Sequence, residues 1–294
     1  MDEGRAAVSR IGVPRGLAER ARELAAGGLS PAVPRDAATV ILLRQAAGVQ
    51  AFLLRRTRAL EFAPGACVFP GGSVDESDAD PAIGEAGWAG PSPAEFGDLL
   101  GVSADRSCAL VCAAVRETFE ESGVLLAGPS PTELVQDTAV LVQDRRSLLD
   151  GSASLAELLS RRGLVLRADL LTPWARWITP EVSPRRFDTW FFAAALPSGQ
   201  MAALAAAAGP EAGTGPGESD SGTWLRPSAA LAAARAGEIT LLPPTAVTLA
   251  ELTAYQDVPS ILSERRVIAP LLPRVVVEEG QAWLAMPQSV TYPL

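Results

Sequence analysis

SCALVCAAVRETFEESGV, residues 107–124, is the stretch whose reading decides the fold. Apolar side chains recur at 110, 111, 114, 115 and 119, the spacing of one face of an α-helix. Ser107 stands where a hydroxyl would cap the helix, and Gly123 stands where a left-handed residue would end it. The spacing predicts a helix over 107–122. At about 100° per residue, Glu120 and Glu121 fall about 60° to one side and about 40° to the other side of Glu117. Three carboxylates thus share one face within a turn. Like charges so close repel and destabilise a helix. A divalent cation converts that repulsion into coordination, and oxygen-only ligation suits Mg²⁺ or Mn²⁺. Arg116, four residues before Glu120, is placed to pair with it. The competing reading is a solvated acidic face, since paired glutamates are common on helices.

Outward from this helix the pattern alternates between strand and helix. Upstream, TVILLR (39–44), a turn at Ala47-Gly48 and VQAFLLRR (49–56) read as a hairpin. ACVF (66–69) reads as a short strand broken by Pro70-Gly71-Gly72. Residues 73–106 read as an ordered insertion with a short helix at 93–100, and residues 14–26 as an amphipathic helix. Downstream, 131–163 reads as a helical insert, and WFFAAAL (190–196) as a buried strand. Residues 209–222 read as a loop, the stretch ending at Gly237 and residues 245–256 as helices, and PRVVVEE and QAWLAM as terminal strands. Strands interleaved with helices around a hairpin predict an α/β (α+β) domain with a mixed sheet. No internal repeat is present.

Composition narrows the chemistry. The chain has 294 residues, 48% hydrophobic and 20% charged, enough for a large core. Its 25 basic and 34 acidic residues leave a net charge of −9, which argues against nucleic acid or an anionic membrane as partner. There is no His, which excludes Ser-His-Asp and Cys-His catalysis and His-bearing zinc sites. There is no Lys either, which excludes Schiff-base chemistry and the P-loop lysine. Cys67, Cys108 and Cys112 lack paired disulfide spacing, and the last two read as small core residues. No apolar run reaches the ~18 residues of a membrane span, and MDEGRAAVSR, without an apolar stretch, is not expected to act as a secretory leader. A cytoplasmic location is the expectation.

FPGG followed by RETFEESGV resembles the Nudix box, G-x5-E-x7-R-E-U-x-E-E-x-G-U. Gly72 matches the first glycine, and Arg116, Glu117, Glu120, Glu121, Gly123 and Val124 match the second half. Thr118 stands at the first bulky apolar position. The glycine-to-arginine spacing is 116 − 72 = 44 instead of 14, so 30 extra residues interrupt the box. Counted back from Arg116, the box Glu falls on Cys108; Asp75, Glu76 and Asp78 are candidates to replace it. FAPGACVFPGG (62–72), WARWITPE (174–181), PRRFDTWFF (184–192) and LLPPTAVTLAEL (241–252) are similar to one Nudix branch, which includes the peroxisomal coenzyme A diphosphatases. This resemblance covers roughly residues 36–256. It implies a single Nudix α/β/α sandwich with a central mixed β-sheet, an insertion at 73–106, a helical insert at 131–163 and a C-terminal extension at 257–294.

The resemblance further implies hydrolysis of a diphosphate in a nucleotide derivative, CoA or an acyl-CoA being favoured. NAD(H), ADP-ribose and nucleoside diphosphate sugars are alternatives, as is a binding module without turnover. It places Mg²⁺ or Mn²⁺ on Glu117, Glu120, Glu121 and the Gly72 carbonyl. Arg116, Glu117 and Glu120 become the catalytic set, and a homodimer, frequent among Nudix proteins, becomes a candidate assembly. Arg185, Arg186 and Arg56 are candidates to bind substrate phosphate, against the plainer readings of an ion pair with Asp188 and a solvated strand end. Glu218 is a candidate further acid from a downstream loop. Trp88 is a candidate to stack on a base or to anchor the insertion, whereas Trp174, Trp177 and Trp190 read as core.

Overall fold

The computed structural model describes residues 11–57, 63–204, 219–278 and 281–294. Strand β1 (Ile11–Gly12) leads into α1 (Arg15–Ala25), which buries only Ala18 and Ala21. The predicted hairpin is β2 (Arg35–Ala46) and β3 (Gly48–Arg56). Its arms pair only near the turn, from Leu43↔Ala51 to Ala46↔Gly48, and then part. Into the fork run β4 (Ala66–Val68), paired with β3, and β5 (Gly71–Ser73), paired with β2. The Phe69-Pro70 break joins them, so the double glycine lies inside the fork.

The stretch 73–106 carries several short elements. It holds a 3-10 turn at Glu76–Ala79, α2 (Ala82–Ala86), β6 (Trp88–Ala89) and α3 (Pro93–Leu100). The box helix, α4, spans Ala104–Ser122. It starts a turn earlier than predicted, because Ser103 rather than Ser107 caps it, accepting from the Arg106 N–H at 3.3 Å. Ser107 is instead fully buried and donates to the carbonyls of Pro93 and Ala104, fastening α4 to α3. Gly123 ends α4 in the left-handed region, at φ +72°.

Beyond α4 lie β7 (Ala127–Gly128), then α5 (Val142–Leu149) and α6 (Leu155–Arg162) of the helical insert, and β8 (Val165–Arg167). Strands β6, β8 and β7 form a small sheet of their own, so the box insertion and the helical insert share one lobe. Next come β9 (Thr172–Ile178), β10 (Phe187–Ala195), β11 (Ser219–Leu225), α7 (Pro227–Arg235), β12 (Thr240–Leu241), α8 (Pro243–Leu252) and α9 (Val258–Leu262). Last are β13 (Pro270–Leu271), β14 (Arg274–Glu278) and β15 (Gln281–Ala285); β15 lies between β14 and β1 and pairs with both.

The main sheet runs β12-β4-β3-β2-β10-β9-β13, with β11 on β3 and β5 on β2. It is mixed: β10 runs parallel to β2 in register from Phe187↔Arg35 to Ala195↔Leu43, and antiparallel to β9. Alternation along the strands loads both faces. Val40, Leu42, Phe52, Trp190 and Phe192 pack against Leu110, Val111 and Phe119 of α4. Ile41, Leu43, Leu53 and Phe191 pack against Leu231 of α7, Leu249 of α8 and Ile261 of α9. The result is the expected three-layer α/β/α sandwich. Each such buried side chain contributes about 1.5–3 kcal/mol, enough to outweigh the like-charge cost on α4.

Candidate active site

The site forms where α4 crosses the fork. The Gly71 N–H donates to Glu121 Oε2 at 2.7 Å. Gly72 faces the Glu117 carboxylate so closely that a Cβ there would run into it. A side chain at 72 would displace the Glu117 carboxylate, so glycine allows the close approach, and the two halves of the motif meet in space across the 44-residue interval.

Arg116 organises the carboxylates. Its side chain is 6% exposed, and its donors are all spent. Nε and Nη2 clamp Asp78 at 2.9 and 2.8 Å, and Nη2 also reaches the Ser73 carbonyl at 2.8 Å. Nη1 reaches Glu117 at 2.9 Å and Glu120 at 3.3 Å, which realises the predicted i,i+4 pair. One cation thus holds three carboxylates. Burial pushes the Glu117 carboxyl up to about 7, with Glu120 adding to the rise and Arg116 opposing it. Burial likewise raises Glu120 against the pull of Arg116. Burial also works against the Arg116 charge, but Asp78, Glu117 and Glu120 more than offset it, and Arg116 stays protonated.

Of the three candidates for the displaced acid, Asp78 is the one in the clamp. It is completely buried, while Asp75 stands 3.7 Å from Arg116 with its side chain 61% exposed. Counted forward from Gly72, position 78 is where G-x5-E sets the acid, 78 − 72 = 6. On that count the thirty extra residues would enter after position 78, whereas the backward count from Arg116 reaches Cys108. Cys108 is half-buried and Cys112 buried within α4.

Arg186 and Trp88 spend their donors elsewhere. Arg186 is buried and donates to the carbonyls of Thr179 and Ala32 at 3.0 and 2.8 Å. Arg185 is exposed on the same turn. Asp188 is held by Arg176 and Arg106 at 2.6 and 2.9 Å. Arg56 ends β3, in register with Ser219. Glu218 lies outside the described residues. Trp88 anchors the insertion: its Nε1 donates to the Pro91 carbonyl at 2.7 Å, and β6 pairs with β8.

Arg145 of α5 was not singled out in the sequence. It reaches the end of α4, donating through Nε to the Glu120 carbonyl at 3.0 Å. Burial lowers it to about 10, with Glu120 and Glu121 opposing the drop. Nothing in VQDRRSLL separates it from its neighbour Arg146.

A sequence model of the family described as NUDT19 Nudix domain matches residues 94–252, more than half of the chain. The chain belongs to the Nudix hydrolase family. The Nudix match begins downstream of Gly72 and Asp78, so the first part of the box is legible in the geometry instead. A Nudix hydrolase from Alicyclobacillus acidocaldarius, known from a crystal structure, is similar with a TM-score of 0.63 and 28% identity, covering 80% of this chain and 98% of that one. Acyl-coenzyme A diphosphatase NUDT19 of Gallus gallus is 29% identical over 208 residues, 55% of each chain. Acyl-coenzyme A diphosphatase NUDT19 of Xenopus laevis is 29% identical over 184 residues, 50% of this chain and 47% of its own. The chain spans about half the length of these two vertebrate relatives. Among the described residues, no helix is long and apolar enough to cross a membrane.

Proposed function

We propose that the chain hydrolyses the diphosphate linkage of a nucleotide derivative with Mg²⁺ or Mn²⁺, and that coenzyme A or an acyl-CoA is its substrate. The observation that carries this reading is the closure of the interrupted box: Gly71 and Gly72 against Glu121 and Glu117, with Arg116 joining Asp78, Glu117 and Glu120. The substrate class is supported by the two vertebrate relatives named acyl-coenzyme A diphosphatases.

The residues fit a hard divalent cation. Every side chain offered is a carboxylate, and the missing Cβ at 72 leaves the backbone open against Glu117. Among the described residues no three acidic side chains yet enclose one point. Glu117 and Glu120, 15% and 12% exposed, must turn off the Arg116 guanidinium to ligate. Glu117, Glu120, Glu121 and the Gly72 carbonyl would hold the ion. When bound, it would offset diphosphate charge and acidify a water. Arg116 keeps Glu117 and Glu120 side by side, and Asp78 keeps Arg116 in its place.

The test is product mass spectrometry after incubation with Mg²⁺ and a panel of CoA, acetyl-CoA, NADH, ADP-ribose and UDP-glucose. The expected products are phosphopantetheine and adenosine 3′,5′-bisphosphate from CoA. Cleavage of another member only would redirect the substrate. Cleavage of none, with Mg²⁺ or Mn²⁺, would favour a binding module.

A further inference from the structure

One cation of the helical insert is spent on the box helix. Arg145 donates through Nε to the Glu120 carbonyl at 3.0 Å and through Nη2 to the Ala203 carbonyl at 3.1 Å. The Ala203 N–H in turn donates to the Ser122 carbonyl at 2.8 Å. These three bonds close a ring around the last turn of α4 and tie it to α5 and to the segment after β10. Last-turn carbonyls have no partner within their own helix, and they form its negative end, where a cation is favoured.

Gly123 completes the arrangement. It turns at φ +72°, and a Cβ there would lie 2.8 Å from Arg145 Nη1. The glycine that ends α4 thus serves two needs, the left-handed turn and the room for a guanidinium. Among the described residues no carboxylate hydrogen-bonds to Arg145 or ion-pairs with it, so its directed contacts are with this backbone. The turn it grips carries Glu120 and leads on from Glu121, whose carboxylate accepts the Gly71 N–H on the opposite side.

We infer that Arg145 is a positioning residue: it fixes the α4 turn bearing Glu120 and Glu121 against β5, which makes the α5 insert part of the catalytic framework. The catalytic half of this inference rests on the hydrolase reading; the mechanical half does not.

The test compares Arg145→Gln, Arg145→Lys and the neighbouring Arg146→Gln in the full chain. Amide hydrogen exchange is read at Gly123 and Ala203, Mn²⁺ uptake by electron paramagnetic resonance, and kcat and KM on whichever panel substrate the unsubstituted chain cleaves. In Arg145→Gln, exchange at both amides should rise about tenfold while β10 is unchanged. Mn²⁺ affinity and kcat should each fall roughly 10-fold or more, with KM little altered. Arg145→Lys should recover part of the loss, and Arg146→Gln should match the unsubstituted chain. Should Arg145→Gln not fold, the lysine variant carries the same comparison.

Unchanged exchange and Mn²⁺ uptake in Arg145→Gln would overturn the inference. So would a rise in KM alone, the mark of a direct substrate contact. Loosened exchange in Arg145→Gln, with no Mn²⁺ taken up by the unsubstituted chain, would support the mechanical role and remove the hydrolase reading.

Discussion

At the scale of single residues, the site rests on contacts that tolerate little change. Gly72→Ala sets a methyl group into the space of the Glu117 carboxylate. It should lower turnover about 10²-fold while leaving the melting temperature within a few degrees, measured by initial rates and thermal unfolding. Asp188 offers a second check, in acid. Burial pushes its carboxyl up, but Arg176 and Arg106 outweigh that and hold it below its ordinary value. Its stabilisation is therefore fully present above the ordinary carboxylate range and is lost as pH falls through the lowered folded value. Asp188→Asn should cost about 2 kcal/mol at pH 7 and show a shallower loss of stability below about pH 4, read from urea unfolding across pH.

At the scale of elements, α4 was the most legible part of the chain because its contacts are local and follow the 3.6-residue period. Even so, the period continues upstream of Ser107, and a buried serine bonded to two carbonyls mimics a cap in sequence. Ser103→Ala should cost about 1 kcal/mol as the loss of a true cap. Equilibrium denaturation of this variant, set beside a Glu95→Gln variant at the start of α3, where the Glu95 carboxylate accepts the Ser92 N–H at 2.8 Å, would show whether the α4 start lies where the structure places it. The clamp between Asp78 and Arg116 was half legible: the acid was among three candidates, and only the fold shows which one is buried. Asp78→Ala leaves a buried guanidinium short of its partner and should destabilise by about 3–5 kcal/mol in the same measurement. Arg145 was not legible at all, because α5 and the α4 terminus meet through backbone carbonyls, which carry no residue signature.

At the scale of the molecule, the hairpin was readable from alternation, but the fork was not. The pairing of β10 with β2 and the entry of β4 and β5 between the hairpin arms are long-range choices that local pattern does not encode. The shared lobe of the two inserts is a similar case, built from β6, β8 and β7, strands of only two or three residues. Leu158 of α6, fully buried in the core beside α4, should reveal that unity. Leu158→Ala should cost about 2–5 kcal/mol and raise amide exchange in α2, which packs on α6. The central claim is that the separated halves of the box meet to make a hydrolytic site. Its most direct test is the rate of diphosphate cleavage by the unsubstituted chain and by Glu120→Gln, each with Mg²⁺ and with a chelator. The account predicts cleavage by the unsubstituted chain only with metal, and a fall of about 10²–10³-fold in Glu120→Gln with the fold intact. Equal rates in the two proteins, or cleavage undiminished by the chelator, would contradict it.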